Sequence, residues 1–385
     1  MFNFDYRNPT HIVFGKDRIA EIDKLVPQQA RVLVLYGGGS VKKFGTLAAV
    51  KQALANRQVF EFGGIEANPR YETLMRAAAI AKAENIDFLL AVGGGSVMDG
   101  TKFIALATHF AGDAASLLWS GTAAVDSSKI LPLATVATLP ATGSEMNAFA
   151  VVSHPKGKFG ITHPQCYPQF SVLDPSLTFT LPKIQVANGV VDAFVHVCEQ
   201  YVTYTAEARV QDRFAEGLLR TLIEVGPVTV AQPQDYDARA NLVWAATNAL
   251  NGLIGTGVPQ DWATHMIGHE LTARFGIDHA QTLAIVMPSL WQVCREQKHD
   301  KLLQYAERVW DIKTGSDAER IDMAIAKTRA FFESLGIKTR LRDYDAAQAD
   351  IDDIISALEA HHMVKLGEHQ SITPAVSRQI LEQAW

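Results

Sequence analysis

In the first half of the chain, apolar residues cluster into short unbroken runs separated by stretches with a helical rhythm. RVLVLY (31–36), VFEF (59–62), FLLAV (88–92), LPLATVATL (131–139) and SVLD (171–174) are β-like, and most are closed by Gly, Pro or Asp. YETLMRAAAIAKAEN (71–85) and GTKFIALATHFA (100–111) repeat apolar residues at helical spacing. Strands alternating with helices predict a largely parallel sheet covered on both faces, a Rossmann-like α/β domain. Ligands of such sheets bind where the C-terminal ends of the strands open into a crevice, and the glycine clusters of this chain follow strand ends.

From about residue 183 the strand-like runs stop. IQVANGVVDAFVHVCEQYV, YDARANLVWAATNAL and DKLLQYAERVW all keep helical apolar spacing. LDPSLTFTLPKIQ (173–185), with two prolines, is the predicted junction. The expected organisation is an α/β dinucleotide-binding domain over 1–182 and an all-helical domain over 183–385, with ligands in a cleft between them. No solenoid-type repeat and no low-complexity tract interrupts this pattern.

A length of 385 residues agrees with two domains, and 48% apolar with 20% charged residues is ordinary for a globular protein. No apolar run reaches the length of a membrane span. MFNFDYRNPTHIVFG lacks a basic segment followed by an apolar stretch, so no signal peptide is expected. The three cysteines, Cys166, Cys198 and Cys294, show no CxxC spacing, which fits a reducing cytoplasm. A net charge of −6 without a basic block argues against nucleic acid as a partner.

Three loops offer nucleotide chemistry. Gly93, Gly94 and Gly95 follow a strand and precede a helix; without Cβ atoms the backbone can approach a phosphate, and Ser96 adds a hydroxyl at the positive end of the helix dipole. This is neither GxGxxG nor a Walker A loop, and a tight strand-to-helix turn is the plainer alternative. Gly37, Gly38, Gly39 and Ser40 follow the first strong strand, with Lys42 and Lys43 close behind. NAD enzymes often carry an acid there for the ribose hydroxyls, whereas a 2′-phosphate needs donors or positive charge. NADP is therefore favoured, although a solvated pair of lysines is the plainer reading of Lys42 and Lys43 alone. A third loop, 140–145, brings hydroxyls after the strand at 131–139.

Metal chemistry is suggested farther along. Asp192 and His196 stand i, i+4 on one helical face among Val190, Val191, Phe194, Val195 and Val197. A carboxylate in such surroundings is costly unless paired or coordinated, and carboxylate with neutral imidazole suits a divalent transition metal. A simple Asp–His hydrogen bond fits the pair as well. In DWATHMIGHELTARFGIDHAQTLAIVMP (261–288), His265 and His269 are again i, i+4, and His279 opens the next helix. Spacing alone prefers His265 with His269 and does not decide between His269 and His279. The HExxH pattern is absent.

Taken together, GGGSVMDGTK, TLPATGSE, the Asp192–His196 pair and the His265–His269–His279 trio resemble the iron-containing, or group III, alcohol dehydrogenase family almost end to end. YGGGSVKK, GVVDAFVHVCEQYV and GVPQDWATHMIGHELT resemble its NADPH-dependent aldehyde reductase and butanol dehydrogenase branch. The resemblance implies the dehydroquinate synthase-like architecture, reduction of small aldehydes to primary alcohols, NADP(H), one divalent metal (Fe2+ or Zn2+) and a homodimer. It implies Asp192, His196, His265 and His279 as metal ligands, with His269 beside the metal and nicotinamide as a supporting group; a metal-bound or ordered water, relayed by His269, is expected to protonate the alkoxide. Gly93 to Ser96 match the pyrophosphate loop, followed by Asp99 and Lys102, and Thr138 and Thr142 line the cofactor. Gly37 to Ser40 and Lys43 fall to the adenosine end; Gly37 stands where NAD-preferring relatives carry aspartate. Ala280 departs from the glycine that many members have after the last ligand. Asn147, Phe149 and Leu253 are expected near the substrate.

Two other readings compete. A glycerol or other polyol dehydrogenase of the same fold differs by few pocket side chains, whereas a dehydroquinate synthase would need more basic residues than the single Arg274 in segments 188–200 and 247–281. A non-catalytic metal- and nucleotide-binding module would betray itself by a lost ligand, and all four are present.

Overall fold

The computed structural model describes residues 1–385, which divide into two compact units: Arg7–Leu181, and Pro182–Trp385 together with Met1–Tyr6.

The first unit is built on β1 (His11–Phe14), β2 (Arg31–Tyr36), β3 (Gln58–Phe62), β4 (Phe88–Gly93), β5 (Leu133–Ala137), β6 (Phe149–His154), β7 (Gly157–Thr162) and β8 (Phe170–Leu173). Its helices are α1 (Ile22–Leu25), α2 (Ser40–Lys43), α3 (Thr46–Ala53), α4 (Tyr71–Ala83), α5 (Gly95–Ala107) and α6 (Ser116–Trp119). Six strands form one parallel sheet in the order β1-β8-β5-β4-β2-β3, and β6 and β7 form an antiparallel hairpin. Side-chain alternation divides the sheet between two cores. Leu33, Leu35, Leu89, Ala91 and Leu133 enter one, and Val32, Val34, Phe88, Leu90, Val92, Ala134 and Val136 the other. Both faces are therefore dry, which explains strands that read as continuous apolar runs.

From β2 the chain steps outward to β3, then returns to place β4 on the opposite side of β2 and continues through β5. The sheet's topological switch point thus lies between the carboxyl ends of β2 and β4, paired through Tyr36 and Val92. Both triple-glycine loops begin there.

The second unit contains α7 (Lys183–Tyr201), α8 (Arg209–Ala231), α9 (Tyr236–Ala249), α10 (Ala263–Phe275), α11 (His279–Val293), α12 (His299–Trp310), α13 (Asp317–Ser334), α14 (Asp350–Ala360) and α15 (Pro374–Gln383). Helix α7 is apolar on nearly every side and lies buried against α8, α9 and α11. No helix is long and apolar enough to cross a membrane.

Several local expectations needed adjustment. Met1–Tyr6, assigned with the α/β region by sequence, packs on the helical unit: the Met1 amino group donates to Ala206 O, and Phe2 N donates to Gly257 O at 2.9 Å. Helix α5 starts at Gly95, so the helix expected to follow the glycine loop takes the last of the three glycines into its first turn. No long apolar run marks strand β1 or the β6–β7 hairpin: β1 has only four residues, and the hairpin mixes lysine, histidine and glycine into its strands.

Candidate functional site

At the switch point, β4 ends in Gly93, Gly94 is extended (φ −90°, ψ −169°), and α5 begins at Gly95. The first bonds of this turn run from Val97 N and Met98 N to Gly94 O, leaving the N–H groups of Gly95 and Ser96 ahead of the helical ladder. No acidic residue occupies the first turn of α5 to cancel the positive end of its dipole. A side chain at Gly95 is excluded by packing, since a Cβ would stand 2.5 Å from Thr142 Cγ2. Thr142 therefore seals one side of the loop, while Thr138 N donates to Gly93 O at 3.0 Å and holds the end of β5 alongside. The sequence-selected residues Gly93, Gly94, Gly95, Ser96, Thr138 and Thr142 form one continuous lip of the sheet.

Across the switch point, Gly37, Gly38 and Gly39 lead from β2 into α2, with Gly39 in the left-handed region (φ 109°) and Ser40 and Lys43 exposed. Lys42 Nζ lies 4.8 Å above the Tyr36 ring, and its ammonium is held above the usual lysine range chiefly by hydrogen bonding to the Tyr36 oxygen. No carboxylate occurs among residues 37–43.

Asp99 serves this lip from behind. Its Oδ1 accepts from Ser144 Oγ at 2.6 Å and its Oδ2 from Val151 N at 2.9 Å. Lys102 is fully buried and donates to Ser144 Oγ, Asn147 Oδ1 and Phe149 O. Asn147 Oδ1 also accepts from Phe149 N, so this oxygen is used within the fold, whereas the Phe149 side chain is exposed. Asp99 and Lys102 thus tie α5 to the segment carrying the 142–151 loop.

The second group of residues lies in the helical unit. Helix α7 presents Asp192 and His196 one turn apart, Gly276 (φ 68°) ends α10, and His279 is the first residue of α11. Helices α10 and α11 approach closely because Gly268 has no side chain: a Cβ there would stand 2.7 Å from Thr282 Oγ1. The result is convergence on one oxygen. Asp192 Oδ1 lies 3.6 Å from His196 Nε2, 3.9 Å from His265 Nε2 and 3.8 Å from His279 Nε2. Ligand atoms of Asp192, His265 and His279 all fall within 4.8 Å of one another, and the His196 ring stacks on His265 at 4.8 Å between centroids. The His269 ring lies 5.1 Å from that of His279, the same separation as between His265 and His279, and 6.4 Å from that of His265.

These residues fit a divalent cation. His265 Nδ1 is engaged by Glu199 Oε2, which leaves Nε2 buried, without a hydrogen bond, and facing a carboxylate oxygen. A nitrogen lone pair opposite a carboxylate oxygen is unfavourable unless a cation is shared between them. Burial opposes protonation of His265, but Glu199, with Asp192 and Asp261, outweighs it, and the net shift is upward. The cluster is least covered at His279, whose side chain is 30% exposed, against 8% or less for Asp192, His196 and His265. An open edge is what a catalytic, as opposed to a structural, metal site requires.

Sequence reasoning missed Glu199 and Trp262. Glu199 lies seven residues after Asp192 and three after His196, so helical periodicity places it on the same stripe. Trp262 caps α10 in the left-handed region (φ 62°) and sets its ring edge-on to His265 at 5.4 Å, a position that no spacing rule indicates.

Residues 9–175 match the family described as iron-containing alcohol dehydrogenase, and residues 186–385 match the C-terminal part of the Fe-containing alcohol dehydrogenase family. The chain is 57% identical over 390 residues to the NADPH-dependent aldehyde reductase YqhD of Escherichia coli (strain K12), covering all of both sequences. It is 41% identical to a probable NADH-dependent butanol dehydrogenase of Bacillus subtilis (strain 168), over 92% of each chain. A crystal structure of the E. coli protein superposes with a TM-score of 0.97 at 56% identity, covering 100% of this chain and 99% of the other. A butanol dehydrogenase structure from Thermotoga maritima gives 0.94 at 33% identity, with the same coverage.

Proposed function

The chain belongs to the iron-containing alcohol dehydrogenase family, and on that premise we propose that it is a metal-dependent, NADPH-using enzyme that mainly reduces aldehydes to primary alcohols. The observation that carries this reading is the single oxygen of Asp192 facing Nε2 of His196, His265 and His279 at 3.6–3.9 Å. These four residues would hold one divalent ion, and three imidazoles with one carboxylate suit Fe2+ or Zn2+. When bound, such an ion supplies Lewis acidity toward a carbonyl oxygen, and NADPH supplies the hydride.

The protein's own groups orient and protect. The lip formed by Gly93–Ser96, Thr138 and Thr142 receives the pyrophosphate and the adjoining ribose through backbone N–H and hydroxyl groups. Gly37–Ser40 and Lys43 take the adenosine end. The family includes both NADH- and NADPH-dependent relatives, so the preference for NADPH rests on this loop: it offers cations and a hydroxyl, and no carboxylate to repel a 2′-phosphate. His269, adjacent to the open edge at His279, is the ring we assign to delivering a proton to the product oxygen. We also read the protein as a cytoplasmic homodimer. Its three cysteines are free and buried, with thiols pushed up by burial, which suits a reducing compartment.

The test is NADPH oxidation at 340 nm with butanal, before chelation, after chelation, and after adding back Fe2+ or Zn2+, with NADH in parallel. Turnover should vanish on chelation, return with metal, and favour NADPH at least tenfold in kcat/KM. No oxidation in any metallated form overturns the reading.

A further inference from the structure

Glu199 is only 2% exposed and forms no ion pair with a lysine or arginine. Its Oε2 contacts His265 Nδ1, its Oε1 accepts from Thr264 N at 2.7 Å, and its backbone oxygen accepts from Asp261 N at 2.8 Å. The nearby buried cation is committed elsewhere. Lys298 Nζ lies 2.9 Å from Asp261 Oδ2, 2.7 and 2.9 Å from the two carboxylate oxygens of Glu368, and 3.0 Å from Val202 O. Asp261 Oδ1 in turn accepts from Ala263 N at 3.0 Å, in the first turn of α10. Asp261, Lys298 and Glu368 therefore fix the start of α10 and leave Glu199 to serve His265.

Building on the metal reading of this site, we propose that Glu199 is a positioning residue that holds His265 with its proton on Nδ1 and its lone pair on Nε2, facing Asp192. The argument is one of donors and acceptors. Thr264 N–H can only donate, and a metal-ligating His265 must also donate from Nδ1, so both oxygens of residue 199 must accept. A carboxylate meets that demand. A glutamine of the same shape does not, because it presents one carbonyl oxygen and one NH2. If its oxygen stays on Thr264 N, its NH2 faces His265 Nδ1 and favours the tautomer with the proton on Nε2, which cannot ligate. If it turns over, NH2 opposes the Thr264 N–H. Histidine ligands in metalloproteins are commonly oriented by such a carboxylate, whose loss lowers metal affinity by about 10- to 100-fold.

The experiment is a competition for Zn2+ between the full-length, metal-stripped protein and a chromophoric chelator, using wild type, Glu199→Gln and His265→Ala, with bound metal counted by mass spectrometry after dialysis. Glu199→Gln should bind Zn2+ 10- to 100-fold more weakly while its far-UV circular dichroism stays unchanged. If His265→Ala weakens binding and Glu199→Gln stays within about twofold of wild type, the positioning role is overturned while the metal reading stands. If His265→Ala binds like wild type, the metal reading itself fails. Should Glu199→Gln not fold, the Zn2+-loaded wild type labelled with 15N-histidine decides. A strongly deshielded, slowly exchanging His265 Nδ1–H, assigned by its loss in His265→Ala, supports the proposal; an ordinary, rapidly exchanging one overturns it.

Discussion

Lys102 has no exposed surface, and its ammonium is held by Ser144 Oγ, Asn147 Oδ1 and Phe149 O. Burial pushes it down to about 8, with Asp99, Cys166 and Glu145 limiting the fall. Because the folded-state value lies below the unfolded one, the folded protein loses this proton first, and the unfolded chain binds more protons between roughly pH 8 and 10.5. The cost of burying the charge is therefore fully present below pH 8 and is relieved as pH rises through that window. Urea unfolding of wild type and Lys102→Met at pH 7 and pH 10 should show wild type gaining roughly 2–3 kcal/mol relative to the variant at the higher pH. No gain would mean that Lys102 stays charged throughout. Single residues were unevenly legible in the sequence. Asp192 and His196 stood out because polar groups on an otherwise apolar helix are conspicuous. Glu199 lay on the same stripe, seven residues on, but its partner comes from another helix, so nothing local marked it. The choice between His269 and His279 was fixed by no spacing and had to come from resemblance.

At the scale of elements, the site depends on how near α11 comes to α10. Gly268 permits that approach, and the neighbour in its way is Thr282, whose Oγ1 donates to His279 O at 2.7 Å. Gly268→Ala should consequently act in two ways. Helix propensity would favour alanine by about 1 kcal/mol, but forcing Thr282 outward should exceed this and leave a net loss of about 1–2 kcal/mol. The start of α11 shifts with it, so Zn2+ affinity should also fall severalfold. Gly217, exposed within α8, is the control: a Cβ there would meet no heavy atom within 4 Å, and Gly217→Ala should stabilise by up to about 1 kcal/mol. Thermal denaturation and the same Zn2+ competition distinguish the two; equal behaviour would remove Gly268 from the account. Elements were legible where burial gave them a long, regular pattern, as in β2, β4 and α7. They were missed where they are short or polar, as in β1 and the β6–β7 hairpin, whose pairing and not whose composition makes them strands.

In the whole molecule, the two binding chemistries draw on different units. Every residue assigned to the nucleotide lies within Arg7–Leu181, and every residue assigned to the metal lies within Pro182–Trp385. Hydrogen exchange should separate them: Zn2+ should slow exchange in α7, α10 and the start of α11, whereas NADPH should slow it over residues 37–43, 93–99 and 138–144. Metal protection confined to the sheet would contradict the assignment. The change from strands to helices near residue 183 was readable because periodicity itself changes there. The destination of the first six residues was not, since their contacts lie some two hundred residues downstream. That wiring has a consequence for biosynthesis. Strand β1 pairs only with β8, His11 opposite Phe170, and Met1–Tyr6 belongs to the unit completed last. The contacts of Met1 and Phe2 with Ala206 and Gly257 therefore cannot form until residues 206–257 have been made, and pairings of such long sequence separation close late in folding.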